Sequence, residues 1–223
     1  MRSDPTVHDF WEDENGIDTE QIEFNLSLTP AQRLEQHERW VTAVRMMRGD
    51  VPARDNAILW MIERVRRAGV PFVVVGELAA AIHGCQYVTT RTELCVPMGP
   101  ATAATIGEAL RDLNPRPTRM AKSPRATSAA GGKLPELSGR SLRTDLGRID
   151  FVADLAGVGD FARVREAALV REVGSLTYPV LNLDAVVAFN RAAGRGGDGL
   201  ALRYLERLAV IRRRRGEGLS RFS

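Results

Sequence analysis

The sequence predicts an α+β fold, with a small mixed β-sheet flanked by helices and an N-terminal helical extension. The first supporting observation is the stretch 70–97, where the apolar run 72–75 stops at Gly76 and passes directly into a helix of small residues. Four apolar residues in a row are typical of a strand that is buried on both faces. The second observation is the alternating run 148–152, which is typical of a strand. The third is the set of helical-period segments before and after both strands.

Composition and charge narrow the class of protein further. With 223 residues, of which 44% are hydrophobic and 26% charged, the chain has the composition of a globular protein that can bury a core. No apolar run approaches the ~20 residues of a membrane span. The acidic residues 1–16 lack the apolar segment of a secretory signal, and Cys85 and Cys95 lack metal-type spacing. We therefore expect a cytoplasmic protein with reduced thiols and no membrane contact.

The first fifty residues divide into an arm and a helix. Residues 1–27 show few periodic apolar positions, so we predict an acidic arm that is mobile or depends on a partner. The alternative is an arm docked on the domain through its apolar residues Phe10, Trp11, Ile22, Phe24 and Leu26. Residues 28–50 are predicted to form a helical extension. Thr29 suits the N-cap, Pro30 the first helical position, and Gln32 the position that reaches back to the cap.

Residues 51–212 are predicted to form the main domain, and 213–223 a tail. The domain begins with a helix over about 54–67, which leads into the central strand. Trp40 and Trp60 lie in helical segments, and we predict that they are core or interhelix packing residues.

The remaining elements of the domain follow from turn and cap signals. Asp160 and Asn182 each precede a helical run and suit the N-cap position. The predicted order is a helix over 101–113, a strand pair within 141–154, a turn at 157–160, a helix to about 170, a strand at 177–181, and helices at 183–193 and 200–211.

Two strongly basic segments suggest contact with phosphate. Residues 114–140 break every hydrophobic period and are rich in Pro, Gly, Ser, Arg and Lys. They form either a solvated surface loop or a basic flap that meets phosphate or an RNA backbone. The four arginines from Arg212 to Arg215 end the last helix. They fit both the negative end of the helix dipole and a nucleic-acid contact.

Several motifs occur in a fixed order along the chain. They are the strand 72–75 with Gly76, Ala79, His83-Gly84 and Thr89, then Leu-Gly-Arg-Ile-Asp at 146–150, Gly-Val-Gly-Asp-Phe at 157–161 and Arg-Ala-Ala-Gly-Arg at 191–195. In this order they resemble the nucleotidyltransferase fold, particularly the minimal nucleotidyltransferases and abortive-infection toxins of bacteria. The resemblance covers roughly residues 55–210 and implies a nucleotidyltransferase-like sheet.

The polar positions of the family pattern are only partly kept. Glu77 stands where a second Gly or Ser is usual, and Tyr87 where an Arg is usual. The tripeptide Arg-Thr-Glu at 91–93 stands where the family has Asp-x-Asp, so that an arginine replaces the first acid. Further along, Asn190 stands where Lys is common, and Gly-Asp at 197–198 where Lys-Asp is common.

The resemblance implies a Mg²⁺-dependent transfer of a nucleoside monophosphate from an NTP to an RNA or protein acceptor. In the family, carboxylates on neighbouring strands hold two ions ~4 Å apart. The corresponding catalytic positions here are Glu93 and Asp150, with Arg91 in place of the first acid, and Glu77 is the replacement metal ligand next to them. The residues implied to bind the nucleotide are Gly76, Glu77, Arg195 and Asp198.

Three interpretations of Arg91, Glu93 and Asp150 remain open. The first is a salt bridge between the guanidinium and the two carboxylates, which costs less than holding two magnesium ions beside an arginine. In the second, Glu77 swings in and completes a metal site. The third is an anion site built from Arg91 without a metal. In each case we expect the three residues together at the sheet's edge, next to the N-terminus of the helix near Glu77. His83 is predicted to be a core residue bonded to backbone.

Two functions from different classes follow. One is a nucleotidyltransferase with drifted ligands, whose activity is weak or lost. The other is a non-catalytic member of the fold that binds a nucleotide, RNA or a partner protein, and Arg91 favours this second function. Under either function, RNA or tRNA contact is expected through 114–140 and the arginines from Arg212 to Arg215.

Overall fold

The chain folds into a mixed β-sheet surrounded by helices. The computed structural model describes residues 16–47, 57–85, 91–118, 141–173, 176–194 and 199–216. Within these stretches there are eight α-helices, a seven-stranded mixed sheet and a separate two-stranded pair. The predicted combination of a mixed sheet with flanking helices is confirmed.

The helices account for most of the regular structure. A 3₁₀ turn follows the fifth helix at Arg111–Leu113. None of the described helices has both the length and the apolar character needed to cross a membrane. They are α1 (Thr19–Ser27), α2 (Pro30–Met47), α3 (Ala57–Arg67), α4 (Gly76–His83), α5 (Pro100–Ala109), α6 (Phe161–Glu166), α7 (Leu183–Ala193) and α8 (Leu200–Arg214).

The strands of the main sheet lie in the order β3-β4-β5-β2-β1-β9-β8. β2 runs parallel to β5, and β1 runs parallel to β9, whereas the other neighbours are antiparallel. β6 and β7 form the separate antiparallel pair. The strands are β1 (Val73–Val74), β2 (Arg91–Cys95), β3 (Arg116–Thr118), β4 (Ser141–Thr144), β5 (Gly147–Val152), β6 (Asp154–Leu155), β7 (Gly159–Asp160), β8 (Ala168–Val173) and β9 (Leu176–Leu181).

The two faces of the sheet have different neighbours. Thr144 donates a hydrogen bond to Met61 Sδ at 3.5 Å, which places α3 on the face that Thr144 shares with Leu142. Leu142 is paired with Ile149, so that face is apolar across β4 and β5. Glu93 belongs to the opposite face, because side chains alternate along a strand, and the N-terminus of α4 lies against it.

Helix α1 is packed into the domain, which agrees with the docked alternative for these residues and not with an arm that is mobile or depends on a partner. Ile22 is fully buried and Leu26 nearly so, both in the main core. Arg33 of α2 donates to the carbonyl oxygens of Asn25, Leu26 and Ile82 at 2.7, 3.2 and 2.9 Å. These bonds satisfy free carbonyl groups at the ends of α1 and α4. The rest of the arm, residues 1–15, lies outside the described residues.

The predicted helix caps are confirmed. Thr29 N–H donates to Gln32 Oε1 at 2.8 Å, and Gln32 N–H donates to Thr29 Oγ1 at 3.2 Å, which is a complete capping box. Asn182 and Asp160 accept backbone N–H groups from the first turns of α7 and α6, at 2.8 and 3.1 Å. These cap hydrogen bonds join residues three positions apart, so the sequence alone predicts them.

Two element predictions are wrong. Residues 116–118, expected to lack regular structure, form the edge strand β3, while 119–140 lie outside the described residues. An edge strand tolerates prolines such as Pro117 because one side of its backbone needs no partner. The helix expected to reach about residue 170 ends at Glu166, because the following residues pair with β9 instead.

The prediction that Trp40 and Trp60 pack in the core or between helices is also wrong. Trp40 is 56% exposed and Trp60 is 41% exposed. The buried face of α3 is formed by Ile58, Met61, Ile62 and Val65, and Trp60 lies outside it. Trp40 lines a surface cavity of about 210 Å³ beside α4.

Candidate functional site

The sheet brings the predicted site residues together on one face. In the parallel pairing of β2 and β5, Glu93 is opposite Asp150. β4 adds Ser141, which is opposite Asp150 on the other side. All three side chains are buried, with Ser141 and Asp150 at 0% and Glu93 at 3% exposure. Residues far apart in the chain therefore form a buried polar row.

The Glu93 carboxylate lies against the N-terminus of α4. Glu77 N–H donates to Glu93 Oε2 at 3.3 Å, and no side chain of the N-cap residue Val75 caps the helix. The backbone of Val75 is itself fixed by a 3.0 Å hydrogen bond to the Glu93 carbonyl. Glu93 thus supplies the negative group that a helix N-terminus favours. Gly76 and Glu77, which the family resemblance implies as nucleotide-binding residues, form this helix end.

Gly76 makes this close approach possible. Its φ of +64° lies in the left-handed region, and a Cβ at this position would overlap the Glu93 carboxylate. Glycine has no Cβ and adopts this backbone conformation without strain. The glycine expected to bind nucleotide therefore makes room for a side chain of the protein itself.

Asp150 is a fully buried carboxylate with one cationic partner. Arg148 Nε donates to Asp150 Oδ1 at 3.1 Å and also to Ser141 Oγ. The Arg148 side chain is 27% exposed, so this pair connects the buried row to the surface. Asp150 Oδ2 has no hydrogen-bond partner in the described part of the chain. A buried oxygen of this kind is uncommon and marks a place where a cation would be stabilised.

The strand register puts Glu93 opposite Asp150 and two residues from Arg91, beside the N-terminus of α4, so the predicted juxtaposition forms. It does not lie at the edge of the sheet as expected, because β2 and β5 are interior strands. The cation bonded to Asp150 Oδ1, however, is Arg148, which lies opposite Arg91 across the β2–β5 pair. A salt bridge from Arg91 to either carboxylate stays a prediction.

The donor set does not fit the two magnesium ions that the family resemblance implies. Two octahedral ions need several oxygen ligands, preferably from more than two carboxylates. Here Glu93 is bonded to the helix N-terminus and Asp150 to Arg148, whereas Glu77 is exposed. Within the described residues, no group of three or more acidic, histidine or cysteine side chains is placed to hold a metal ion. The family's metal chemistry is therefore not assigned to these residues.

His83 is a structural residue, as predicted. It is 1% exposed, its Nε2–H donates to the Leu181 carbonyl at 2.7 Å, and its Nδ1 accepts from Arg212 at 2.8 Å. Burial, with smaller contributions from Arg212, Arg171 and Arg33, lowers its pKa to about 3 against the opposing effect of the Leu181 bond. His83 is therefore neutral at physiological pH and holds the end of α4 to α8 and β9.

The C-terminal arginines are largely bonded within the chain. Arg212 donates to His83, Arg213 pairs with Asp184 of α7, and Arg215 pairs with Glu23 of α1. These contacts join α8 to three other helices. The RNA contact expected for this run stays a prediction, and Arg195 and Asp198 lie outside the described residues.

Comparison with protein-family models, curated proteins and solved structures finds no match for this chain. The family resemblance of its motifs stays a prediction. Function is inferred below from the residues of this site.

Sequence reasoning missed Arg148 and Ser141. Arg148 could have been found, because it lies two residues before Asp150 on a predicted strand and therefore shares its face. Ser141 could not, because its position beside Asp150 depends on the register of the β4–β5 hairpin.

Proposed function

We propose that this protein is a nucleotidyltransferase-like domain that binds a phosphate-bearing ligand, a nucleotide or an RNA, and has lost efficient nucleotidyl transfer. The observation that carries this proposal is the position of the Glu93 carboxylate at the N-terminus of α4. A helix N-terminus that follows a strand is where a triphosphate would be expected, because its N–H groups and dipole favour anions. Glu93 takes that place.

A triphosphate at this helix end would have to approach a buried carboxylate. Two unit negative charges 4 Å apart repel by about 4 kcal/mol at an effective dielectric constant of ~20. A magnesium ion between them would offset the repulsion, but Glu93 Oε2 is bonded to the helix N-terminus and Asp150 Oδ1 to Arg148, which leaves such an ion few oxygen ligands. Transfer chemistry is therefore disfavoured at the step of substrate binding.

Asp150 supports the same proposal from the other side of the site. Its Oδ1 is bonded to the Arg148 guanidinium, a permanent cation in the position where a catalytic metal would neutralise the carboxylate. Together with Arg91 on the neighbouring strand, Arg148 makes this end of the sheet attractive to phosphate without any metal. Phosphate binding is thus retained while the metal-dependent step is lost.

Isothermal titration calorimetry tests the proposal. The ligands are ATP, CTP, GTP and UTP, each titrated once with Mg²⁺ and once in EDTA. The proteins are the wild type and the variants Glu93→Gln and Arg91→Asp. The matched control is Glu172→Gln, which removes an exposed acid of β8. Any nucleotide binding by the wild type should be independent of Mg²⁺. Glu93→Gln should tighten it at least tenfold, about 1.4 kcal/mol, and Arg91→Asp should introduce a Mg²⁺ dependence.

Two results would overturn the proposal. One is Mg²⁺-dependent nucleotide binding by the wild type together with multiple-turnover incorporation of labelled nucleoside monophosphate into RNA or protein. The other is the failure of the wild type to bind either a nucleotide or an RNA under low-salt conditions.

A second candidate function, weak transfer assisted by a single cation, is favoured by Asp150 Oδ2. This oxygen is buried without a hydrogen-bond partner and lies next to Glu93 in the strand register. Mn²⁺ titration followed by water-proton relaxation would detect such a site. Binding that is present in the wild type and lost in Asp150→Asn, accompanied by incorporation of nucleotide, would favour the transferase over the binding protein.

A further inference from the structure

Four arginines form one row across the sheet. Arg116 of β3 is opposite Arg143 of β4, Arg143 is opposite Arg148 of β5, and Arg148 is opposite Arg91 of β2. Residues that pair in register lie on the same face of a sheet. Neighbouring strands are ~4.8 Å apart, so three intervals make the row about 14 Å long. We name these four residues the arginine row.

The arginine row is open to solvent towards the edge of the sheet. Arg116 and Arg143 are exposed, whereas Arg148 and Arg91 are partly buried. Neither Arg116 nor Arg143 forms an ion pair with another described residue. The next row on the same face consists of Thr118, Ser141, Asp150 and Glu93.

The charges of these two rows do not balance. The only acids are Asp150 and Glu93, which are bonded to Arg148 and to the N-terminus of α4. Like charges directly opposite each other destabilise a pair of strands. An anion with several charges, extended along the row, would relieve this repulsion at all three opposed pairs of arginines.

We propose that the arginine row binds the phosphate backbone of single-stranded nucleic acid. This inference rests on the proposed function above, because it names the phosphate-bearing ligand and the surface that holds it. Every nucleotide of a strand carries a phosphate, so a single strand laid along a row of about 14 Å presents more than one phosphate to it. The phosphates of a single nucleotide are compact and neutralise only neighbouring arginines at one end.

A single strand fits the row better than a duplex. The backbone of a duplex curves away from a flat surface, whereas a single strand is flexible enough to follow a straight line of cations. Neither row contains an aromatic side chain on which bases would stack. The arginine row is therefore expected to contact mainly the phosphate backbone, and oligo(U) and oligo(dT), which lack guanine, should bind alike.

The salt dependence follows from the number of arginines. Each phosphate contact with a single strand contributes about −0.7 to the slope of log K against log salt concentration. The two exposed arginines, Arg116 and Arg143, should together contribute about −1.4 to this slope, and their removal should take that contribution away. At 0.1 M salt, the loss of these two contacts should weaken binding about 25-fold.

Fluorescence anisotropy with the full chain tests this inference. The probes are a fluorescein-labelled twelve-nucleotide oligo(U), the matching oligo(dT), a duplex of the same length, and unlabelled UTP as competitor. The test variant is Arg116→Gln/Arg143→Gln, and Arg116→Lys/Arg143→Lys keeps the charge. The matched control is Arg163→Gln/Arg165→Gln, which removes two exposed arginines of α6 outside the row. Thermal unfolding monitors the fold of each variant.

We expect the wild type to bind oligo(U) and oligo(dT) equally and the duplex more weakly. Of the three variants, only Arg116→Gln/Arg143→Gln, the Gln pair, should bind more weakly and with a smaller dependence on salt concentration. The inference is overturned if the wild type does not bind single strands, if the Gln pair binds like the control, or if the duplex binds more tightly. It is also overturned if UTP competes fully at its own dissociation constant, since one compact anion would then fill the site. Efficient nucleotide transfer by the wild type would contradict the proposed function. The anisotropy measurements would still show whether the arginine row binds single-stranded nucleic acid.

Discussion

Replacement of Gly76 by alanine tests the contact between the Glu93 carboxylate and the N-terminus of α4. The substitution has two costs that can be separated. A left-handed backbone conformation costs a residue with a Cβ about 1–2 kcal/mol, and Gly76 has a φ of +64°. The new Cβ would also overlap the Glu93 carboxylate, which would have to leave its hydrogen bond to Glu77 N–H. A hydrogen bond to a charged group contributes about 1.5–3 kcal/mol.

The expected loss in the free energy of unfolding is therefore about 2.5–5 kcal/mol in the wild-type background. In a Glu93→Ala background the carboxylate is absent, and the same substitution should cost only the backbone strain of about 1–2 kcal/mol. The coupling energy of this double-mutant cycle should thus be about 1.5–3 kcal/mol. Urea unfolding of the four proteins, followed by circular dichroism at 25 °C, gives each free energy.

Gly69→Ala provides the control for backbone strain. Gly69 has a φ of +75°, close to that of Gly76, but nothing lies within 4 Å of its would-be Cβ. Its replacement should cost about 1–2 kcal/mol in both backgrounds. If Gly76→Ala also costs the same in both backgrounds, within about 0.5 kcal/mol, then Glu93 does not occupy the helix end and the reasoning on function fails.

Two further predictions concern buried groups away from the site. The pKa of His83 is about 3 in the folded chain and 6.5 as its ordinary value, so the unfolded chain takes up the proton first as the pH falls. The stability that neutral His83 contributes is present above pH 6.5 and decreases by about 1.4 kcal/mol per pH unit below it, or about 2 kcal/mol by pH 5. Urea unfolding at pH 7 and pH 5 checks this. Between these pH values the free energy of unfolding of the wild type should decrease by about 2 kcal/mol more than that of His83→Gln. Equal decreases would contradict a buried, neutral His83. Burial, with Asp154 and Asp160 nearby, raises the pKa of Cys95 to about 12. Iodoacetamide at pH 8 should leave Cys95 unlabelled in the folded protein and label it in urea, as read by mass spectrometry, whereas rapid labelling of the folded protein would show that the thiol is accessible.

Local patterns in the sequence predicted the elements that local chemistry determines. The Thr29–Gln32 capping box and the Asn182 cap involve residues three positions apart, and both form. The face of Trp60 could not be predicted in the same way, because the buried side of a helix depends on what packs against it. β3 was missed because an edge strand of three residues with a proline has no periodic signal.

Only part of the candidate site could be predicted from the sequence. The resemblance to the nucleotidyltransferase pattern predicted Glu93 and Asp150 on neighbouring strands, and the observed register places them opposite each other. The partner of Glu93, the N-terminus of α4, depended on a distance that no spacing rule supplies. Arg148, in contrast, lies two residues before Asp150 on the same strand, so side-chain alternation places the two on one face.

The carboxylate held at the end of α4 also acts as a tethered competitor. A group attached through a short flexible linker has a millimolar effective concentration at its binding site. Glu93 is held more rigidly than such a group, because its strand β2 pairs with β1, the strand that directly precedes α4. Free phosphate must compete with a group that never diffuses away. Small dissolved anions are therefore kept from the helix end, and any ligand that reaches it must first be held elsewhere on the protein.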